Sequence, residues 1–426
     1  MSLKSIIAKK RGLTWGQFIK NGIIFRRNQL LDPLIMPLYR HSIIEKRMWL
    51  RRKSVIKVAF VVPELGFWKT EALYRAMLQH ERFRPVLLVI PSTEVPTGAD
   101  AVVEYFKSRG YDYIDMRQTK KSIKQVLRPD IIFYQKPYDY SLPHKYNFRK
   151  NGYALFGYVS YCFHNVTVRD INETPLIHAS WQVYYENQPV MEETERLMKD
   201  PCGNGVVTGL PDTDDLIAST SEQPDPWKTV EGRKRLKRVI WAPHHSVGSG
   251  DHAGMDYSTF LEYADFMLEM ARKYADRIQF AFKPHPLLRN NLRACWPEEK
   301  IDAYYRQWET LPNTQLELGS YKGLFVHSDA MIHDCGSFTI EYLYTQHPVM
   351  YLLKHDHHES VLNEFATQSF RLHYMGYSAG EIDQFLQNVC EDIDEKQAER
   401  KAFFDSCLLP PNNCSACENI INAILK

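Results

Sequence analysis

The sequence predicts an α/β protein made of two parallel-sheet units, preceded by a basic helical arm. Three observations carry this. Short apolar runs alternate with helix-period segments over 55–135 and again over 238–353, the pattern of strands covered by helices on both faces. A polar, proline-bearing stretch at 219–237 separates the two series and reads as a linker or boundary loop. Residues 1–53 carry 13 Lys and Arg against only Asp32 and Glu45, so the other 373 residues hold 40 basic and 49 acidic groups of the totals of 53 and 51. A basic arm is attached to a mildly acidic body.

Within the arm, basic clusters (Lys9, Lys10, Arg11; Arg26, Arg27; Arg51, Arg52, Lys53) alternate with Trp15, Phe18, Ile23, Ile24, Phe25, Leu30 and Leu31. Bulky aliphatics beside cations suit an anionic membrane surface, where each nearby cation contributes about 1 kcal/mol. Nucleic acid and a self-packed helix are the competing readings; the aliphatics, which offer no stacking platform, argue against nucleic acid. No apolar run reaches the roughly 18–20 residues that a spanning helix needs, and at the start of the chain charges interrupt every apolar segment before a signal-peptide core can form. The eight cysteines follow no disulfide framework, which fits a reducing cytoplasm.

Residues 55–63 (VIKVAFVVP) are a buried strand, 70–79 a helix and 85–90 a strand. Residues 101–108 are helical, 112–115 extended, 122–127 helical and 130–135 a strand. Further strands are expected at 154–160, 182–186 and 205–208. The turn at Gly66 lacks a full glycine-rich dinucleotide fingerprint. In the second series, 239–242 is a strand, followed by a loop with His244, His245, Ser246, Gly248 and Gly250. A helix at 257–274 and a strand at 278–283 follow, the strand ending in Pro284, His285 and Pro286. A charged helical pattern covers 379–406. Two such units predict two facing domains with a cleft between them.

The stretch 324–353 (LFVHSDAMIHDCGSFTIEYLYTQHPVMYLL) reads as strand, tight polar turn, helix, strand. Such a turn sets free amides and a helix amino terminus at the carboxyl edge of a sheet, where a phosphate binds. Ser337 and Thr339 add hydroxyls, and Glu341 is a candidate acceptor for ribose hydroxyls. Simple capping of the helix by Ser337 is the alternative. Three polar clusters each follow an apolar strand: His244 with His245, Lys283 with His285, and Asp334 with Ser337. In an open parallel sheet those strand ends share one edge, so the clusters are expected to converge and grip a diphosphate.

These residues resemble a known family. Ala242-Pro243-His244-His245, then Lys283-Pro284-His285-Pro286, then Ser328-Asp329, Asp334-Cys335-Gly336-Ser337, Glu341-Tyr342-Leu343 and Pro348 are similar to motifs of the CDP-glycerol glycerophosphotransferases, which include teichoic acid primases and polymerases. Upstream, Tyr161-Cys162-Phe163-His164-Asn165 stands where that family shows Trp-His-Gly. Gly209-Leu210-Pro211-Asp212-Thr213-Asp214 matches its Gly-x-Pro-Arg-x-Asp element. The resemblance covers about residues 150–355. Asn165 replaces Gly, Gly336 replaces a Ser, and Asp212 stands where Arg is common.

The resemblance implies a GT-B fold of two facing Rossmann-like domains. The expected boundaries are 1–54 for a membrane-associating arm, 55–225 for an acceptor domain, 226–378 for a nucleotide-donor domain, and 379–426 for helices packing back toward the first domain. It implies a transferase that moves glycerol phosphate, or a related alditol phosphate, from a CDP-activated donor to a lipid-linked or growing surface glycan. His164 is implied as general base, with His285 as the second catalytic residue. His244, His245, Lys283, His285, Asp334, Gly336, Ser337, Phe338, Thr339 and Glu341 are implied around the donor, with Asp334 orienting the turn. The expected place is the inner face of the plasma membrane, with no nucleic-acid partner.

Two other readings stand beside it: a glycosyltransferase using a nucleotide sugar such as a CMP-sugar, and a non-catalytic scaffold of a polysaccharide assembly. No metal site is assigned. His355, Asp356, His357 and His358 are consecutive loop residues whose side chains diverge, and Cys414 with Cys417 is a C-x-x-C lacking a second pair. Asp212 and Asp214 have Asp-x-Asp spacing, which leaves a divalent ion requirement open.

Overall fold

A computed structural model describes residues 15–93, 95, 97–138, 142–167, 172–217, 222–229, 235–248, 257–354 and 362–426, with no side chain described for 15–31 or 33. Lys9, Lys10, Arg11, Gly250 and the 355–358 cluster lie outside the described residues. The chain forms two compact units, Met1–Asp212 with Pro410–Lys426, and Thr213–Leu409.

The first unit opens with α1 (Trp15–Arg51), then β1 (Ile56–Val62), α2 (Glu71–Gln79), β2 (Phe83–Val89), α3 (Gly98–Ser108) and β3 (Tyr113–Asp115). It continues through α4 (Ile123–Val126), β4 (Ile131–Tyr134), β5 (Leu155–Val159), α5 (Pro175–Ala179), β6 (Gln182–Tyr185), α6 (Gln188–Leu197) and β7 (Gly205–Val207). The strands form one parallel sheet in the order β3-β2-β1-β4-β5-β6-β7. Helices leave only these apolar runs to pair, which is why strands 55–63 and 130–135 become neighbours (Val58 beside Ile131). Phe60 stacks on Phe133 at 5.0 Å, and a Cβ at Gly157 would meet Phe133 at 2.7 Å. Only glycine lets β5 lie flush against that ring.

α1 is tied to this unit along one face. Asp32 holds Arg149 through two contacts of 2.8 and 2.5 Å, Tyr39 donates to the Ala154 carbonyl at 3.0 Å, and Leu50 is buried in the core. The opposite face leaves Leu34, Leu38, Ile44, Met48 and Trp49 more than half exposed. Among the described residues no helix is long and apolar enough to cross a membrane.

The second unit runs β8 (Lys237–Ala242), α7 (Phe260–Lys273), β9 (Ile278–Phe282), α8 (Leu288–Leu292), α9 (Glu298–Thr310), β10 (Thr314–Leu316), α10 (Lys322–Val326), β11 (Ala330–His333), α11 (Phe338–Glu341) and β12 (Val349–Leu352). It ends with α12 (Glu364–Arg371), β13 (Tyr374–Gly376), α13 (Ala379–Cys390) and α14 (Gln397–Phe403). Its sheet is parallel, in the order β10-β9-β8-β11-β12-β13. Trp241 stacks on Phe260 and Phe282 at 5.6 and 5.0 Å, locking α7 to the sheet centre. After α14 the chain returns to the first unit, where α15 (Ala416–Leu425) buries Ile420 and Ile424 in the same core as Leu73 of α2.

Three details differ from the sequence reading. Leu324–Val326 belongs to the short helix α10 and β11 begins only at Ala330, because the apolar run buries Leu324 and Phe325 from a helical turn. The helix expected after Ser337 is a four-residue α11 that tightens into a 3₁₀ turn, Tyr342–Thr345, before Gln346 turns left-handed at φ 61°. β10, β13 and α9 were not anticipated. The two strands have three residues each, too few to show alternation, whereas α9 buries Ile301, Tyr304, Tyr305 and Trp308 at helical spacing and was legible.

Candidate active site

In the second unit β9, β8 and β11 are neighbours, so the loops that leave them start side by side. β8 leads into His244 and His245, β9 into Lys283 and His285, and β11 into Asp334. The His285 amide donates to the Pro243 carbonyl at 3.1 Å. Ring centroids lie 4.2 Å apart for His244 and His245, 4.3 Å for His245 and His285, and 5.4 Å for His244 and His285. Three imidazoles from two strand ends share one spot.

Their hydrogen bonds fix the tautomers. His244 Nδ1 accepts the Ser246 amide at 3.3 Å and lies 2.9 Å from Ser246 Oγ. That oxygen already accepts the amides of Tyr257 and Ser258 at 3.0 and 3.1 Å, so its own proton points to His244. The Leu287 amide donates to His285 Nδ1 at 3.2 Å. Asn291 Nδ2 donates to the His245 carbonyl at 2.9 Å and to His245 Nδ1 at 3.3 Å. With Nδ1 accepting in all three, each neutral ring carries its proton on Nε2. Burial pushes His285 down to about 4, aided by His245 and Lys283, so at neutral pH it donates a hydrogen bond without carrying charge.

Lys283 supplies the cation. Its Nζ donates to the Gly319 carbonyl at 2.9 Å, and burial lowers its pKa against the pull of Glu317. Asp334 is buried and holds the loops together: it accepts the His244 amide at 2.5 Å and the Thr259 amide and hydroxyl at 2.6 and 3.0 Å. Burial raises Asp334 to about 6 although these donors pull it down.

The rest of the turn is less committed. Gly336 and Ser337 are exposed, and the Ser337 side chain makes no capping bond. Thr339 is buried and turns its hydroxyl to the Cys335 carbonyl at 3.4 Å. Phe338 packs on Tyr321 and Phe325 at 5.3 and 4.9 Å, and Glu341 is buried. Four residues of α11 supply little dipole. Lys283 and the three imidazoles bring one ammonium and three ring N–H groups to this edge.

In the first unit β5 leads into Tyr161, Cys162, Phe163 and His164, and its neighbour β6 into Glu186. Glu186 Oε1 accepts the His164 amide at 2.7 Å, and Oε2 lies 2.9 Å from His164 Nδ1. A carboxylate at that distance holds the proton on Nδ1 and makes Nε2 the basic nitrogen, the arrangement of a general base with its orienting acid. Nearby, Asp212 pairs with Lys69 at 2.9 Å. The sequence reading gave no role to Glu186, Thr259 or Asn291, and named Ser246 only as a member of the loop after 239–242. Glu186 had a signal, an acid directly after an apolar strand; the others had none. Among the described residues no group of three or more His, Cys, Asp or Glu side chains is placed to hold a metal ion.

No curated protein sequence matches the chain. Solved structures do. The teichoic acid polymerase TagF aligns with a TM-score of 0.55 at 13% identity, over 93% of this chain and 97% of its own. A Listeria monocytogenes protein assigned as a UDP-N-acetylglucosamine 2-epimerase aligns with a TM-score of 0.57 at 13% identity, over 87% and 96%. The UDP-GlcNAc 2-epimerase of Neisseria meningitidis gives 0.53 at 13%, over 87% and 98%. At such identities the likeness is one of fold, and the two parallel-sheet units are of the GT-B type. The sequence profile of the CDP-glycerol:poly(glycerophosphate) glycerophosphotransferases matches residues 177–426, which include the histidine cluster and begin after His164. The chain belongs to this family and is a CDP-glycerol glycerophosphotransferase-like enzyme.

Proposed function

We propose that the enzyme transfers glycerol phosphate, or a related alditol phosphate, from a CDP-linked donor to a hydroxyl of a lipid-linked or growing surface glycan of the teichoic acid or capsule kind. The single observation that carries this is the meeting of three Nε2–H donors and Lys283 at one sheet edge, which suits a pyrophosphate. In this reading His244, His245, His285 and Lys283 hold the donor phosphates, Gly336 and Ser337 bring exposed backbone and hydroxyl groups, and Glu341 meets the ribose. Asp334 positions the loops. The acceptor hydroxyl gives its proton to His164 Nε2 while its oxygen attacks the β-phosphorus of the donor. The P–O bond to the nucleotide breaks, and its electron pair leaves on CMP. TagF supports the donor class, since one of its structures was soaked with CDPG.

The same reading puts the enzyme on the inner face of the plasma membrane. The outward face of α1 carries Leu34, Leu38, Ile44, Met48 and Trp49, on an arm rich in Lys and Arg, which suits an anionic lipid surface. Release of CMP from CDP-glycerol, CDP-ribitol and CMP-sugars tests the donor. CMP released only from a CMP-sugar replaces the proposal with glycosyl transfer. No release and no nucleotide-dependent rise in melting temperature replaces it with a scaffold.

A further inference from the structure

A polar cavity lies in the first unit, away from His164. It has a volume of about 320 Å³ and opens between α1 and the amino-terminal ends of β6 and β7, where Gln182 and Gly205 begin their strands. Glu186 ends the same strand β6, four residues on, so the cavity and the His164 pair stand roughly 13 Å apart along it. Arg40 and Arg47 line the cavity with His178, Trp181, Cys202 and Asn204, and no Asp or Glu is among the described residues that line it.

The two guanidiniums meet neutral groups. Arg40 donates to His178 Nδ1 at 3.0 Å and to Cys202 Sγ at 3.2 Å. Since His178 Nδ1 accepts, its proton sits on Nε2 and is donated to Glu173 Oε1 at 3.2 Å. Glu173 also takes the amides of Lys199 and Asp200 at 2.9 and 3.3 Å. Its charge is therefore shared between the His178 ring and two backbone amides outside the cavity lining. Arg47 lies over the Trp181 ring at 5.8 Å. Two cations on one helix, two turns apart, face a half-enclosed space, and the acids beside it, Glu173 on His178 and Glu195 next to Gly205, are not themselves lining residues.

We infer that this cavity binds a phosphate ester, with Arg40 and Arg47 on its oxygens and Trp181 and Ile43 against its alcohol part. A guanidinium pair matches a phosphate better than a carboxylate-free surface lysine would, because each fork donates two parallel bonds. The ester comes either from solution or from a lipid headgroup. The second source rests on the membrane reading of α1, since the cavity flanks that helix.

The test uses the full chain with two probes, glycerol 3-phosphate and vesicles of phosphatidylglycerol, and reads N-ethylmaleimide labelling of Cys202, which lines the cavity. A bound ester slows labelling of Cys202 and leaves that of the exposed Cys295 unchanged. Protection by glycerol 3-phosphate identifies a soluble ester, and protection by vesicles alone identifies a headgroup. Arg47→Gln, at an exposed position, weakens the protecting ligand about tenfold or more, whereas His285→Asn, in the other unit, does not change it. Absence of protection by both probes, or protection equal in Arg47→Gln and wild type, overturns the inference. Release of CMP is measured in parallel, so failure here is distinct from failure of the proposed transfer.

Discussion

The Asp334 carboxylate accepts the backbone amide of His244, 90 residues earlier in the chain, at 2.5 Å. Its other oxygen takes the amide and hydroxyl of Thr259 at 2.6 and 3.0 Å. One buried acid thus joins the end of β11, the loop after β8 and the start of α7, and sets where the histidine cluster stands. Asp334→Asn keeps the shape but turns an amide N–H₂ toward donors. The expected loss is about 1–3 kcal/mol of stability, together with weaker nucleotide binding. Thermal unfolding with and without CDP-glycerol checks both; an unchanged melting temperature contradicts the positioning role.

His164 and Glu186 are expected to affect turnover rather than donor affinity. His164→Ala removes the base and lowers kcat by about 10²–10⁴-fold. Glu186→Gln keeps a hydrogen bond but no longer favours the charged ring, so kcat falls less and its pH profile moves. Wild-type kcat in His164→Ala rules out the assigned base.

In the proposed reading His285 meets the donor as a neutral ring. Its pKa of about 4 implies that binding of CDP-glycerol stays level between pH 6 and 8 as far as this residue is concerned. His285→Ala is expected to weaken the nucleotide about tenfold or more, read by calorimetry. Equal affinity in the variant removes His285 from the donor site.

Stability is expected to fall on acidification below about pH 6.5. Burial lowers His285 to about 4 and His373 to about 3, and holds His333 and His347 below their ordinary 6.5. Between 6.5 and 4 the unfolded chain takes up protons that folded His285 and His373 do not, and His333 and His347 act in the same direction. His285 and His373 each cost about 1.4 kcal/mol per pH unit over that range. Asp334 acts the other way: raised to about 6, it binds its proton in the fold before it does unfolded, offsetting one histidine over pH 6 to 4. The net sign is destabilising. A melting temperature that is level from pH 7 to 5 contradicts it.

Gly336 stands where the family carries Ser, yet a Cβ there meets nothing within 4 Å and the backbone is not left-handed. Gly336→Ser is expected to leave stability within about 0.5 kcal/mol and to tighten donor binding by adding a hydroxyl beside Ser337. Loss of folding in this variant excludes an open turn.

Much was legible in the chain itself. Alternating apolar and helix-period runs determined two parallel α/β units, because a strand buried on both faces must be apolar throughout. The charge count determined a basic arm, and the places where His244, Lys283, His285 and Asp334 follow strands determined a shared sheet edge. Partners were decided only by the tertiary structure. The order β10-β9-β8-β11 sets strands beside one another that are far apart in sequence, so Asp334 reaches His244 and Thr259. β5 beside β6 brings Glu186 to His164. Which nitrogen of each imidazole holds the proton was decided there too, since a hydrogen bond needs its donor within about 3 Å and aligned, and periodicity along a chain carries no such information.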